Sequence, residues 1–192
     1  NGSTLTVTNS TLSGNSATDN GGGIYNIGIL SVANSALSNN SATNDGGGIY
    51  NSSILSVTNS TLSGNSATNY GGGIYNSDTL TVTNSTLSTN HASSVGGGLY
   101  MVSGGTARVS NSTINNNTSD ASAGGIYNAG NLVLINSTLR GNLADLDGGG
   151  MFNSFFGVAN IYNSTIAFNG ADWDADINGG QAGGIYNSGG VI

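Results

Sequence analysis

The chain has 192 residues, of which 33 are glycine, and it contains no proline or cysteine; only 6% of its residues are charged. The absence of cysteine excludes a disulfide scaffold and thiolate metal sites. Two arginines against nine aspartates give a net charge of -7, which argues against binding to nucleic acid or to an anionic membrane, because both need clustered positive charge.

A six-residue phrase, Gly-Gly-Gly-Ile-Tyr-Asn, recurs along the whole chain. It stands at 21–26, 46–51 and 71–76, and weakened copies stand at 96–101, 124–128, 148–153 and 183–187. An Asn-Ser-(Thr/Ala) phrase recurs with it, from Asn9 to Asn163, at spacings of 25, 25, 25, 27, 25 and 27 residues. A period of this length is typical of repeat architectures. The largest insertion falls in the last unit, between Asn163 and Ile185.

Each unit has the pattern of short β-strands. In the first copy Leu5 and Val7 alternate with Thr6 and Thr8, which is the period of a strand. Two more short segments follow in each unit, and glycine or asparagine interrupts every stretch that could form a helix. We therefore predict an all-β fold, a parallel β-solenoid with about seven rungs of about 25 residues and three short strands per rung. The whole range 1–192 is expected to form one domain, uncapped at both ends.

Stacking of the units predicts columns of equivalent residues. Four inward apolar columns are expected, and they contain Leu5, Val7, Leu12 and Ile24 with their equivalents in later rungs. Asparagine suits strand ends, because it tolerates the left-handed conformation and its amide can bond the backbone or the next amide. Two asparagine ladders are expected: Asn15, Asn40, Asn65, Asn90, Asn117, Asn142 and Asn169, and Asn26, Asn51, Asn76, Asn128, Asn153 and Asn187.

The pairing of Gly-Gly-Gly-Ile with Leu-Ser-Gly-Asn resembles the repeats of polymorphic outer-membrane proteins, a family of adhesins. It is more similar still to large bacterial surface proteins with Gly-Gly-Gly-Ile-Tyr-Asn repeats, although leucine or isoleucine stands here where the first family has phenylalanine. The resemblance covers essentially the whole chain. It implies a right-handed parallel β-helix, an extracellular or cell-surface location, and adhesive or structural work.

An acidic loop in the last unit is the strongest candidate metal site. Alternating carboxylates followed by asparagine and glycine are the pattern in which oxygen ligands meet Ca²⁺, and stacking brings the preceding rung's loop beside them. The predicted ligands of a structural Ca²⁺ are Asp145, Asp147, Asp172, Asp174, Asp176 and Asn178. The alternative is a solvated acidic loop without a metal; no other cofactor is expected.

An outward aromatic column is the candidate interaction surface. If Ile24 points inward, Tyr25 points outward, and its equivalents follow. The column comprises Tyr25, Tyr50, Tyr75, Tyr100, Tyr127, Phe152 and Tyr186. Two interpretations stay open: the rings stack on each other and protect the sheet, or they contact another chain or a host or matrix glycan.

Asn-x-Ser/Thr sequons mark candidate glycosylation sites, although the same asparagines suit turns. They include Asn9, Asn59, Asn84, Asn111, Asn136 and Asn163. The only histidine, His91, occupies a position held by serine in earlier units, shows no evident acidic partner, and is expected to be a surface residue.

The predicted function is an extracellular structural or adhesive β-solenoid without enzymatic activity. Because uncapped solenoid ends can stack, end-to-end self-association into filaments is expected. The alternative is a carbohydrate-binding or polysaccharide-degrading β-helix protein, a lyase or a hydrolase. Glycoside hydrolysis needs two carboxylates at a defined separation. Here the acids lie at a loop corner, and Arg108 and Arg140 fall on different segments of their units.

Overall fold

The computed structural model describes residues 1–172 and 179–192. The chain coils through seven rungs, and each strand pairs in parallel with the equivalent strand of the next rung. Every regular element in these residues is a β-strand. The fold is the right-handed parallel β-helix that the sequence predicts.

Four parallel sheets of seven strands each form the walls of the coil. Sheet A contains Thr4–Thr8, Ile29–Ala33, Ile54–Thr58, Thr79–Thr83, Thr106–Ser110, Asn131–Ile135 and Val158–Tyr162. Sheet B contains Thr11–Ser13, Ala36–Ser38, Thr61–Ser63, Thr86–Ser88, Thr113–Asn115, Thr138–Arg140 and Thr165–Ala167. Sheet C contains Ser16–Ala17, Ser41–Ala42, Ser66–Ala67, His91–Ala92, Thr118–Ser119, Leu143–Ala144 and Gly170–Ala171. Sheet D contains Ile24–Asn26, Ile49–Asn51, Ile74–Asn76, Leu99–Met101, Ile126–Asn128, Met151–Asn153 and Ile185–Asn187.

Sheet C is the one wall that the sequence does not predict. Its strands have two residues each, which is too short to show alternation in a sequence, so each rung has four strands instead of three. In the second rung Ser41 faces outward and Ala42 is buried, so the inside and outside alternate here as in the longer strands.

The predicted apolar columns form the core. Val32, Leu37, Ile49 and their equivalents in the middle rungs are fully buried. Rung five departs from the pattern, because it has alanine, Ala107, in the first column, where the neighbouring rungs have Leu80 and Leu132. Each rung contributes only a few apolar side chains, so the core exists only where rungs stack.

Both asparagine ladders are present, and their members away from the two ends of the solenoid are buried. In the first, the Asn65 side chain donates to Asn90 Oδ1 at 2.9 Å and to the Leu37 carbonyl at 3.0 Å. In the second, Asn51 donates to Asn76 Oδ1 at 2.7 Å. Met101 interrupts the second ladder and is itself fully buried. These amides satisfy carbonyls and amides at the corners, where a buried polar group without a partner would be costly.

The residues with a left-handed backbone conformation (positive φ) lie next to the asparagine ladders in the sequence and are not members of them. One set is the sequon column, where Asn59 has φ 49°. A second set directly precedes the first ladder, where Gly64 has φ 65°. In the glycine phrase Gly71 has φ 66°, and a Cβ on Gly72 would overlap the His91 carbonyl. The glycines therefore provide both the turn and the room that stacking requires.

Candidate functional site

The aromatic column of sheet D forms a continuous stack. Tyr25 and Tyr50 lie with ring centroids 4.9 Å apart and an interplanar angle of 4°, and Tyr50 and Tyr75 lie 4.8 Å apart. The stack continues through Tyr100, Tyr127 and Phe152 at 4.8 to 5.4 Å and ends in a tilted contact between Phe152 and Tyr186. Centroid separations near 5 Å are in the range of favourable offset stacking.

Mutual stacking limits what this aromatic column can bind. A sugar that packs on an aromatic ring needs a free ring face, and the faces within the column lie against neighbouring rings. Ring edges and phenolic hydroxyls are what the column presents outward. The geometry supports the interpretation in which the rings protect the sheet, and a lateral partner stays a prediction.

Tyr70 belongs to the same aromatic surface, although no pattern in the sequence predicts it. It precedes the glycine phrase, outside the sheet D register, yet its ring stacks on Tyr100 with centroids 4.7 Å apart. Its backbone N–H donates to Asp45 Oδ1 at 3.2 Å. Because Asn20, Asp45 and Val95 take this place in other rungs, no periodic signal identified it.

Burial controls the ionisation of the central tyrosines. Burial, with the neighbouring phenols and Asp45 adding to it, raises the pKa of Tyr75 to about 12. The same causes raise the pKa of Tyr50 and Tyr100, with burial the larger cause in both. Burial also raises the pKa of the Asp45 carboxyl, although the Tyr70 backbone hydrogen bond opposes the shift. The raised pKa values keep the phenols of Tyr50, Tyr75 and Tyr100 uncharged near neutral pH.

A groove of about 420 Å³ runs over sheet C in the first four rungs. Two rows of hydroxyls line it, with His91 and Ser93 at its fourth rung. The rows are Ser16, Ser41 and Ser66, and Thr18, Thr43 and Thr68. This concave surface is not predicted from the sequence, which indicates three strands per rung and no wall at the position of sheet C.

His91 has an acidic partner, which corrects the sequence-based interpretation. Its Nε2 lies 3.6 Å from Asp120 Oδ2, and its Nδ1 lies 3.0 Å from the Thr118 hydroxyl. Asp120 follows Ser119, which pairs in register with Ala92, and its backbone N–H donates to the Ala92 carbonyl at 3.2 Å. The 27-residue spacing of this rung therefore predicts that Asp120 lies beside the segment of His91. Both side chains are substantially exposed, so this pair contributes little to stability.

The histidine cluster does not have the arrangement of a nucleophilic triad. Ser93 Oγ and Asp120 Oδ2 both approach the same atom, His91 Nε2, at 3.4 and 3.6 Å. A triad instead places the carboxylate on one ring nitrogen and the hydroxyl on the other. Arg108 lies on sheet A and Arg140 on sheet B, so the arginines do not join this cluster.

The acidic loops of the last two rungs are only partly described. Asp145 and Asp172 directly follow Ala144 and Ala171, which pair in register, and Asp147 Oδ1 accepts the Gln181 N–H at 2.8 Å. The predicted ligands Asp174, Asp176 and Asn178 lie outside the described residues. Within ranges 1–172 and 179–192, no three acidic or histidine side chains converge as metal ligands. The calcium site stays a prediction.

The sequon asparagines occupy the exposed left-handed corner between sheets A and B. Their φ values are 48° to 50°, and Asn59 donates to Asn34 Oδ1 at 3.2 Å. This geometry agrees with the turn role that the sequence analysis gives to asparagine. Glycosylation at these exposed positions stays a prediction.

Residues 9–27, 34–52 and 59–77 match the model of the Chlamydia polymorphic membrane protein (Chlamydia_PMP) repeat. Each match begins at a left-handed asparagine corner and runs through sheets B, C and D of one rung. The resemblance noted in the sequence is thereby confirmed for the first three rungs. No curated protein and no solved structure matches the chain. In the described residues, no helix is both long and apolar enough to span a membrane.

Proposed function

We propose that this protein is an extracellular β-solenoid that does structural or adhesive work at a bacterial cell surface. The observation that carries the proposal is the match of three successive rungs to a repeat of polymorphic membrane proteins. The repeat fits a surface protein, and the fold is a rod that presents four long walls to its surroundings.

The surface chemistry supports a binding or structural role over catalysis. Outside the two arginines and nine aspartates, the polar surface consists largely of hydroxyls and amides in rows along the axis. The inside is held by apolar columns and two amide ladders, so these rows are held at the spacing of the rungs, about 4.8 Å. Repeated weak contacts on a stiff surface add up when they engage together.

Two measurements test this proposal. Antibodies to the chain should label intact cells of the source bacterium, and beads coated with the folded chain should adhere to host cells or extracellular matrix more than beads coated with the heat-denatured chain. Labelling only after permeabilisation would refute the surface location. Equal adhesion of both bead types would refute an adhesive role and leave a structural one.

Two finer predictions belong to the same proposal. End-to-end self-association predicts filaments in electron micrographs of the purified chain, and isolated short rods at high concentration would contradict it. The polysaccharide-degrading alternative predicts release of reducing or unsaturated sugars from polyuronates. The described residues offer it little support, because neither arginine lines the groove.

A further inference from the structure

The hydroxyls of the groove over sheet C differ from those of the serine column at the start of sheet B. In the column at the start of sheet B, Ser60 Oγ donates to the Thr58 carbonyl at 2.8 Å and accepts the Ser35 N–H at 3.0 Å. The hydroxyls of that column therefore already make hydrogen bonds within the protein. Among the described residues, the Ser16, Ser41 and Ser66 hydroxyls make no hydrogen bond within the protein.

The threonine row on the other side of the groove is similar. Thr18 and Thr68 hydroxyls also make no hydrogen bond to the described protein, and Thr43 Oγ1 makes one long contact of 3.4 Å to the Ala17 carbonyl. Both rows repeat once per rung, so the three hydroxyls of each row recur about every 4.8 Å over roughly 10 Å of groove. Each hydroxyl is both a donor and an acceptor.

We propose that this groove binds a neutral, extended oligosaccharide that runs parallel to the solenoid axis. A sugar chain offers hydroxyls at short regular intervals, which is the complement of two hydroxyl rows on a regular lattice. The volume of about 420 Å³ is within the range of small-ligand sites. The proposal deepens the adhesive function and rests on it for its biological role, while binding in solution is independent of where the protein is displayed.

Charge favours a neutral sugar over an acidic one. The groove is lined by neither lysine nor arginine, its one titratable lining residue is His91, and Asp120 lies beside that histidine. The chain as a whole has a formal charge of -7. A uronate, sulfate or phosphate group would therefore be repelled, since recognition of such anions relies on arginine or lysine.

Backbone pairing argues against a peptide in the groove. An added peptide strand needs unpaired backbone groups at a sheet edge. Here the backbone of sheet C is paired from rung to rung, for example Ser41 N–H to the Asn15 carbonyl at 2.9 Å and Ser66 N–H to the Asn40 carbonyl at 2.9 Å. No large apolar side chain lines the groove as an anchor for a peptide or a lipid.

His91 and Asp120 mark one end of the proposed site. Their contact, with Thr118 beside them, places a bulky imidazole where the earlier rungs have serine. In the next rung the serine position is taken by Thr118, whose hydroxyl lies 3.0 Å from His91 Nδ1, and in the rung after that by Leu143. The serine row of the groove thus ends at its third rung, where His91 follows Ser66, and this end limits the length of sugar that gains affinity.

The test is isothermal titration calorimetry of the whole chain with neutral oligosaccharides of increasing length from the cello-, manno- and xylo- series, and with oligogalacturonate as the acidic probe. At least one neutral series is expected to bind, with affinity that rises with length and then levels off. Oligogalacturonate is expected to bind at least about tenfold more weakly. Failure of all neutral series, or preference for oligogalacturonate, overturns the proposal.

Variants make the test specific to the groove. The double variant Ser41→Leu/Ser66→Leu removes the central hydroxyls and is expected to lower affinity at least about tenfold, as for the loss of two or more hydrogen bonds. It should fold, because Leu143 occupies the equivalent position. The control Ser56→Val removes an outward hydroxyl from sheet A, where Val133 is the equivalent residue, and should leave affinity unchanged.

Outcomes for the groove and for the surface role are separable. Equal affinity of the groove variant and the wild type would overturn the site. Loss of sugar binding in the groove variant, together with antibody labelling only of permeabilised cells, would support the groove and refute the surface proposal. Circular dichroism and the melting temperature of each variant verify that the fold is retained.

Discussion

Replacing Asn65 with alanine tests whether the buried amide ladder stabilises the solenoid. Asn65 is fully buried in the middle of the ladder, and its side chain takes part in four hydrogen bonds. It donates to Asn90 Oδ1 at 2.9 Å and to the Leu37 carbonyl at 3.0 Å. Its Oδ1 accepts the backbone and side-chain N–H groups of Asn40, each at 3.0 Å.

The expected loss is about 4 kcal/mol in the free energy of unfolding. Each hydrogen bond contributes about 1 kcal/mol net, and the Asn40 backbone N–H would be left without its acceptor in a buried position, which costs about 1 to 3 kcal/mol. Only part of this penalty adds to the sum, because the four bonds form one network and their contributions overlap.

Urea titration followed by far-ultraviolet circular dichroism measures the loss. The matched control is Asn59→Gly in the same rung, which retains the left-handed corner (φ 49°) and loses one exposed hydrogen bond of 3.2 Å. The control is expected to change stability by less than about 0.5 kcal/mol. A loss below about 1 kcal/mol for Asn65→Ala would refute the reasoning, because it would mean that the ladder only fills space.

Three further predictions concern the glycine phrase, the aromatic stack and the acidic loops. Gly72→Ala should prevent folding of the central rungs, since its Cβ would overlap the His91 carbonyl; soluble protein with native circular dichroism would contradict this. The pKa of Tyr75 in the folded protein is raised from 10.0 to about 12, so its contribution to stability is complete below pH 10 and is lost as the pH rises through 12. The variant Tyr75→Phe should therefore show a flatter fall in melting temperature between pH 10 and 12, and a slope equal to that of the wild type would refute this prediction. A chelator should lower the melting temperature by several degrees if Asp145 and Asp147 belong to a structural Ca²⁺ site, with Mg²⁺ restoring it less well than Ca²⁺; no shift would exclude that role.

The sequence by itself determined the architecture of this protein. The 25-residue period, the alternation at Leu5 and Val7, and the apolar residue after the glycines are local properties that repeat, so stacking follows from one unit. The same logic predicted the Asn65 ladder, because an amide that recurs at one position of every rung must meet its copies. Repetition makes long-range contacts readable from sequence in a way that an ordinary globular chain does not allow.

The tertiary structure decided the features that depart from the period or need three dimensions. The two-residue strands of sheet C are too short to produce a pattern, so neither their pairing nor the groove above them was predicted. The ring of Tyr70 stacks on that of Tyr100 although Tyr70 lies outside the strands of sheet D. The side chain of His91 contacts that of Asp120 in the adjacent rung, at a position that is not in register with His91. Ring orientation is likewise geometric: the sequence placed Tyr25 on the outside, and only the structure shows that its ring lies flat against that of Tyr50. Sequence periodicity specifies which residues share a column, whereas side-chain direction and the depth of the surface between columns depend on how the walls meet.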